Sequence, residues 1–275
     1  MFNQEKPEVA AAQKVMLEIL CEIHKICVEN TIRYWLVGGT LIGAVRHKGF
    51  IPWDDDCDVG MLREDFNKFL EVAPGCLSAG LHLQTRDVEP EYYLPYAKIR
   101  KDGTLLVESG ETGNENYHHG IFVDIFPYDR YSSATFLNWM HWGKHFRDRR
   151  NRYKRHSWKR VLVTFYTNVI MGIPVVFTRM IGKWFVGHPE RYGDKNSKYI
   201  SFGMECRVNC VNLVEDYLPV RLSEKCFEGY DFYVPANSDA VLSAEYGKDY
   251  MQLPPIEKRT THAKIIKVQL KGICE

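Results

Sequence analysis

The stretch that decides the fold is Tyr34-Trp35-Leu36-Val37-Gly38-Gly39-Thr40-Leu41-Ile42-Gly43-Ala44-Val45-Arg46-His47-Lys48-Gly49-Phe50-Ile51-Pro52-Trp53-Asp54-Asp55-Asp56-Cys57-Asp58-Val59-Gly60-Met61. The apolar run Tyr34 to Val37 predicts a first strand. It ends on Gly38-Gly39, which can turn tightly because glycine accepts positive φ and close backbone approach. Thr40 to Arg46 predicts a short helix, and the leading N–H groups of a helix attract phosphate. His47 to Asp55 reads as a loop broken by Gly49 and Pro52. Asp56 to Met61 predicts a second strand.

Four carboxylates, Asp54, Asp55, Asp56 and Asp58, fall within five positions. They repel one another unless water or a cation screens them. On a strand, residues two apart share a face, so Asp56 and Asp58 project together while Cys57 and Val59 turn toward a core. Paired carboxylates of this kind can hold Mg²⁺, which prefers carboxylate and phosphate oxygens. Asp54 has the same parity and ranks above Asp55 as a further ligand. Two other readings compete. One is a solvated acidic turn. The other is a calcium loop, but its sixth position should be Gly and is Val59, and its twelfth should be Glu and is Asp65.

Outward from this stretch, Val9 to Asn30 shows a helical period through Met16, Leu20, Ile23 and Cys27, and predicts a packing helix without chemistry. Arg63 to Val72 predicts a helix stopped by Pro74-Gly75. Leu81 to Thr85, Tyr96 to Ile99 and Thr104 to Val107 predict strands. Ile121 to Pro127 reads as a buried strand with one acid, Asp124. A lone carboxylate there is costly unless paired, hydrogen-bonded by backbone or placed on a metal. Cys226 to Val234 predicts a strand pair, and Asn237 or Ser238 caps a helix that Gly247 ends. The expected division is a core over 1–131, a helical insertion over 132–198, and a C-terminal part over 199–275 that completes the active site.

The net charge of +1 gives no global field for nucleic acid. The polar start, Met1 to Glu8, has no apolar signal core and predicts a cytoplasmic protein. Eight cysteines include no Cys-x-x-Cys pair; Cys206 and Cys210 are the nearest approach, and free thiols are the expectation. Lys144 to Arg160 carries nine Lys or Arg residues against Asp148. Val161 to Thr178 follows without a charge, which predicts core helices broken near Gly172-Ile173-Pro174. The alternative is peripheral membrane contact, with the basic residues on anionic headgroups at the inner face of the cytoplasmic membrane.

A strand, a Gly-Gly turn, a helix and Asp-x-Asp on the next strand is the layout of the nucleotidyltransferase fold. The segments Gly38 to Leu41, Gly43 to Phe50 and Ile51 to Asp56 also resemble the LicD family, which shares that fold and is distantly related to the fukutin-related proteins. Val123-Asp124-Ile125-Phe126-Pro127, Phe227 to Tyr230 and Tyr246 to Pro255 extend the resemblance from about residue 12 to 262, weakest across 132–190. It implies an α+β protein with a nucleotidyltransferase-like mixed sheet core flanked by helices, a helical insertion and a small α/β C-terminal part. Asp56, Asp58 and Asp124 would be the catalytic metal triad, with Asp54 as an added ligand for Mg²⁺ or Mn²⁺. Gly38, Gly39, Thr40, Arg46, His47 and Lys48 would meet the donor phosphates, though the three basic residues also read as a solvated turn.

The chemistry these parts imply is metal-assisted phosphoryl transfer, with Asp124 or Asp54 taking the acceptor proton. The resemblance supplies the reactants: phosphocholine moves from CDP-choline to a sugar hydroxyl of a bacterial surface glycan, and CMP leaves. Another CDP-linked donor, carrying phosphoethanolamine or an alditol phosphate, and nucleotidyl transfer are alternatives on the same fold. A metal-binding scaffold without catalysis is a third reading, against which the intact set of acids speaks. Choline needs aromatic faces, for which Trp53, Tyr92, Tyr93, Tyr96 and Tyr117 are candidates; a core role for each is the competing reading. A lipid-linked glycan acceptor would give the basic and apolar stretch a purpose.

Overall fold

The computed structural model describes residues 7–135, 158–171, 180, 184, 193–203, 206, 212–218 and 223–268. Two compact units result, Met1–Pro127 with Asp216–Glu275, and Tyr128–Glu215.

The first unit begins with helix α1, Pro7–Glu29, whose buried stripe runs through Val9, Ala12, Met16, Ile19, Leu20, Ile23 and Cys27. Each of the Val, Met, Ile and Leu side chains contributes roughly 1.5–3 kcal/mol on burial. A short strand β1, Trp35–Leu36, then leads into helix α2, Gly38–Ile42, which continues as a π-helical turn over Gly43–His47. Strand β2, Asp58–Leu62, pairs antiparallel with β1, Trp35 facing Gly60 and Leu36 facing Val59. The strand begins two residues later than the alternation predicts, so Asp54 to Cys57 approach it as irregular chain.

Helix α3, Arg63–Cys76, runs through Pro74 instead of stopping before it. The proline forfeits one bond, to the Leu70 carbonyl, close enough to the end for the last turn to survive. Strands β3 (Leu81–Gln84), β4 (Ala97–Lys101), β5 (Leu105–Glu108) and β6 (Phe122–Tyr131) follow. The sheet order in this unit is β1-β2-β6-β4-β3. In the β4–β6 register Lys98 stands opposite Asp124.

The second unit takes up the outer half of β6. There Tyr128 to Tyr131 pair with β7, Tyr199–Phe202, which pairs in turn with β8, Asn212–Leu213. Helix α4, Trp158–Met171, corrects the expectation of a core helix at this point. Trp158, Val161, Leu162, Phe165 and Val169 are all exposed. Among the described residues no helix is long and apolar enough to cross a membrane. The expected break at 172–174 and most of the basic run lie outside the described residues.

A short helix α5, Val214–Tyr217, returns the chain to the first unit. Hairpin β9–β10, Ser223–Phe227 and Tyr230–Val234, turns on Glu228 (φ 51°) and Gly229 (φ 89°). Positive φ at both central residues matches the right-handed twist of the flanking strands. Helix α6, Ser238–Tyr246, starts on Asn237, whose side chain accepts from Ala240 N at 3.2 Å, and stops at Gly247. Strand β11, Ala263–Lys267, pairs with β5 and was not foreseen. The architecture is the expected α+β arrangement, a nucleotidyltransferase-like sheet core with flanking helices.

Candidate active site

The glycine turn brings main chain against carboxylates. Gly38 has φ +57°, and a β-carbon on it would lie 3.4 Å from Asp58 Oδ2 and 3.6 Å from the Tyr246 hydroxyl. One on Gly39 would come within 2.5 Å of Asp54 Oδ2. Thr40 is buried, and its Oγ1 accepts from Asp58 N at 2.9 Å. Its side chain therefore fixes the start of β2, while Gly38 and Gly39 keep the surface of the turn open to the acids.

Asp54, Asp56 and Asp58 are half-buried, and Asp124 is 6% exposed. The link between β6 and β2 is direct: Asp124 N donates to Cys57 O at 2.8 Å. Burial raises the Asp58 carboxyl well above its usual range, and the charges of Asp56, Asp124 and Asp54 raise it further. Asp54 is raised by burial and then by Asp56 and Asp55. Burial pushes Asp56 the same way, but hydrogen bonding with His262 and Asp54 outweighs it and holds Asp56 low. Asp124 is lifted to about 7 by burial, against the pull of Lys98. The four acids thus share one electrostatic environment. Asp55 faces elsewhere: it accepts from His262 N at 2.9 Å and Ala263 N at 2.6 Å and so anchors β11.

Three groups that the sequence did not single out complete this environment. Lys98 is wholly buried, with Nζ 2.8 Å from Asp124 Oδ1 and 3.2 Å from Glu108 Oε2. The same Nζ lies 3.3 Å from the Phe122 ring centroid. His262 Nδ1 lies 3.4 Å from Asp56 Oδ2. Its hydrogen bond to Asp56 raises the imidazole to about 9. Gln13 of α1 donates to Asp54 O at 2.8 Å and Ile51 O at 3.1 Å, so the packing helix pins the acidic loop. One signal for Lys98 was present: Ala97-Lys98-Ile99-Arg100 alternates apolar and cationic, and both cations sit on one strand face.

Among the described residues, no three His, Cys, Asp or Glu side chains form a ready-made ion cage. Mg²⁺ rarely uses one; it takes one or two carboxylates and completes its shell with water and substrate phosphate. A crowd of mutually repelling carboxylates, countered by Lys98 and His262, suits that donor set.

The basic loop has partners of its own. Arg46 Nη1 donates to Tyr250 O at 2.6 Å and Gln252 O at 3.1 Å, holding the segment after α6. His47 is held below its usual range by burial and by Arg46, and its ring stands 6.5 Å from Trp53. Lys48 is exposed at φ 57°.

The five aromatic candidates do not gather around one point. Trp53 stands beside His47, with the Arg259 guanidinium 4.8 Å from its ring centroid, so an internal cation covers one of its faces. Tyr92 is buried and packs on Tyr117 at 6.0 Å. Tyr117 donates to Glu111 Oε1 at 2.9 Å. Tyr96 packs on Phe126 at 4.4 Å, and Tyr93 is 60% exposed. Burial and then the Asp124 charge push the Tyr92 and Tyr96 hydroxyls far above the ordinary phenol range. Those two belong to the acid side, and Trp53 to the Arg46 side.

Known proteins share this arrangement of sequence. The nucleotidyltransferase-domain model of the LicD/FKTN/FKRP family matches residues 31–165. The chain is similar to the lipopolysaccharide cholinephosphotransferase LicD of Haemophilus influenzae, 31% identical over 261 residues, or 91% of this chain and 94% of that protein. It is also similar to the human ribitol 5-phosphate transferase FKRP, 59% identical over 34 residues, which are 12% of this chain and 7% of that protein. A third likeness is to an uncharacterized protein of Rickettsia prowazekii, 41% identical over 59 residues and 22% of each chain.

Proposed function

The chain belongs to the LicD/FKTN/FKRP family of transferases, and on that footing we propose that it moves phosphocholine from CDP-choline to a sugar hydroxyl of a surface glycan, releasing CMP. The observation that carries the reading is the mutual influence of Asp54, Asp56, Asp58 and Asp124, with Asp58 against Gly38 and Asp54 against Gly39, in a relative of a cholinephosphotransferase that aligns along nearly its whole length.

In this account Asp56 and Asp58 hold Mg²⁺, or Mn²⁺ in its place, with Asp124 and Asp54 as further oxygen donors. The metal would neutralise the donor phosphates and acidify the acceptor hydroxyl. The protein's own groups do the rest by position and charge. The first N–H groups of α2 meet a donor phosphate, which the bare glycines let approach. Arg46 orders the segment after α6 around the nucleotide, with His47 and Lys48 beside it. Lys98 fixes the Asp124 carboxylate. A carboxylate, Asp124 or Asp54, takes the acceptor proton as the acceptor oxygen bonds to the phosphorus bearing choline. The bond from that phosphorus to CMP breaks in line. Tyr96, whose hydroxyl feels the charges of Asp124 and Asp58, offers an aromatic face near the acids for a quaternary ammonium, and the acids strengthen its attraction.

A second reading has its own support. The 34 residues shared with a ribitol 5-phosphate transferase favour a reaction in which the head group differs while the phosphoryl chemistry stays. A donor panel separates the two: CMP release is followed with CDP-choline, CDP-ethanolamine and CDP-ribitol, each with a glycan acceptor. The proposal expects CDP-choline to give the highest kcat/KM, and preference for CDP-ribitol would overturn the head-group assignment.

A further inference from the structure

Helix α4 carries its apolar side outward. Trp158, Val161, Leu162, Phe165 and Val169 are 66, 65, 54, 69 and 67% exposed. With 3.6 residues per turn, these five positions fall within an arc of about 100°. Single exposed apolar residues are ordinary, but a contiguous stripe of large ones marks a surface that meets something.

Two observations choose the occupant. Residues 144–160 carry nine Lys or Arg residues and one Asp. That run ends within α4, at Lys159 and Arg160, and a surface of anionic headgroups would neutralise its charge, whereas a second copy of this chain would only add like charge. The helix has 14 residues, about 21 Å of length, against about 30 Å of bilayer hydrocarbon. Over the described residues it does not reach across the hydrocarbon, and it is long enough to lie in the plane of an interface, apolar face down. Within α4, Lys159 Nζ lies 5.8 Å from the Trp158 ring centroid, an aromatic and a cation paired as the headgroup layer favours.

We propose that the outward face of α4 docks on a lipid surface carrying anionic headgroups. The inference stands apart from the transfer chemistry, because it uses none of the residues assigned to the reaction.

The test is co-sedimentation of the full chain with vesicles of phosphatidylcholine alone, or of phosphatidylcholine mixed with phosphatidylglycerol. The proposal expects binding to the anionic vesicles only, weakened about ten-fold or more by high salt. The double substitution Phe165→Ser with Val169→Ser weakens binding about ten-fold or more as well. The thermal midpoint stays at the wild-type value, because exposed side chains leave no cavity. Failure to sediment with anionic vesicles, or undiminished binding by the double variant, overturns the proposal. A wild-type dimer in sedimentation velocity that the double variant abolishes assigns the face to a second copy instead. A clear fall in the thermal midpoint of the variant would show that these side chains are packed inside the protein, and would also overturn it.

Discussion

Lys98 and Asp124 face each other across the β4–β6 ladder, Nζ 2.8 Å from Oδ1, with both side chains buried. A buried cation is costly unless it is paired and its remaining protons are satisfied. Glu108 and the Phe122 ring supply the other contacts. The ammonium thus holds in place the β6 carboxylate to which the proposed transfer assigns a role.

Replacing Lys98 by Met leaves Asp124 and Glu108 without their shared cation. The expected loss is about 3–5 kcal/mol of stability, the usual result of breaking a buried pair from one side. The double variant Lys98→Met with Asp124→Asn should lose less than the sum of the two single changes. Urea denaturation of all four proteins measures this coupling, and strict additivity would count against the pair.

The acids on the β2 side should behave in the opposite way. Asp58 is raised by burial and by neighbouring charges, so its ionised form opposes folding. Asp58→Asn is expected to raise the thermal midpoint in chelator while abolishing transfer. Asp55→Ala is expected to lower stability by about 2–4 kcal/mol, since the backbone donors of His262 and Ala263, where β11 begins, lose a charged acceptor. Opposite signs from two acids three positions apart, read by thermal denaturation in EDTA, separate catalytic from structural aspartate.

Gly39→Ala places a methyl group 2.5 Å from Asp54 Oδ2. The obstacle is a side-chain end, so the fold should survive with a midpoint within a few degrees. The carboxylate must move, and turnover should fall about ten-fold or more. Equal activity in Gly39→Ala would show that Asp54 does not need its observed position.

Much of this was legible beforehand. The glycine turn, the acid run and the lone acid of β6 each break a local rule: close backbone approach, like charges together, a carboxylate in an apolar strand. Such breaks are visible without coordinates and tend to mark function. Lys98, His262 and Gln13 reach the site from β4, the approach to β11 and α1, segments whose relation to it is tertiary. The start of β2 at Asp58 was misjudged because carboxylates do not favour strand; the loop before it is held by Gln13 and by the Asp55 contacts. The apolar run of α4 was read as core because hydropathy reports composition and not which side is covered.

His24 offers a check on the fold away from the site. Its Nδ1 lies 2.6 Å from the Tyr34 hydroxyl, in a cluster with Phe232 and Tyr233, and burial lowers its pKa. A lowered histidine contributes stability that is present above its unfolded pKa of about 6.5 and is lost as pH falls through that value toward the folded one. Denaturation midpoints should therefore fall between pH 7 and pH 5 by more in wild type than in His24→Gln. An equal fall in both proteins would place the titration on another histidine.

The most direct test of the central claim is CMP release from CDP-choline with Mg²⁺ and a glycan acceptor, for wild type and Asp58→Asn. The account predicts release that depends on the metal, stops in EDTA and falls by at least about a thousand-fold in the variant, an effect on the scale of lost transition-state charge stabilisation. Release that survives in Asp58→Asn, or that proceeds unchanged in EDTA, would contradict it and place the chemistry elsewhere in the fold.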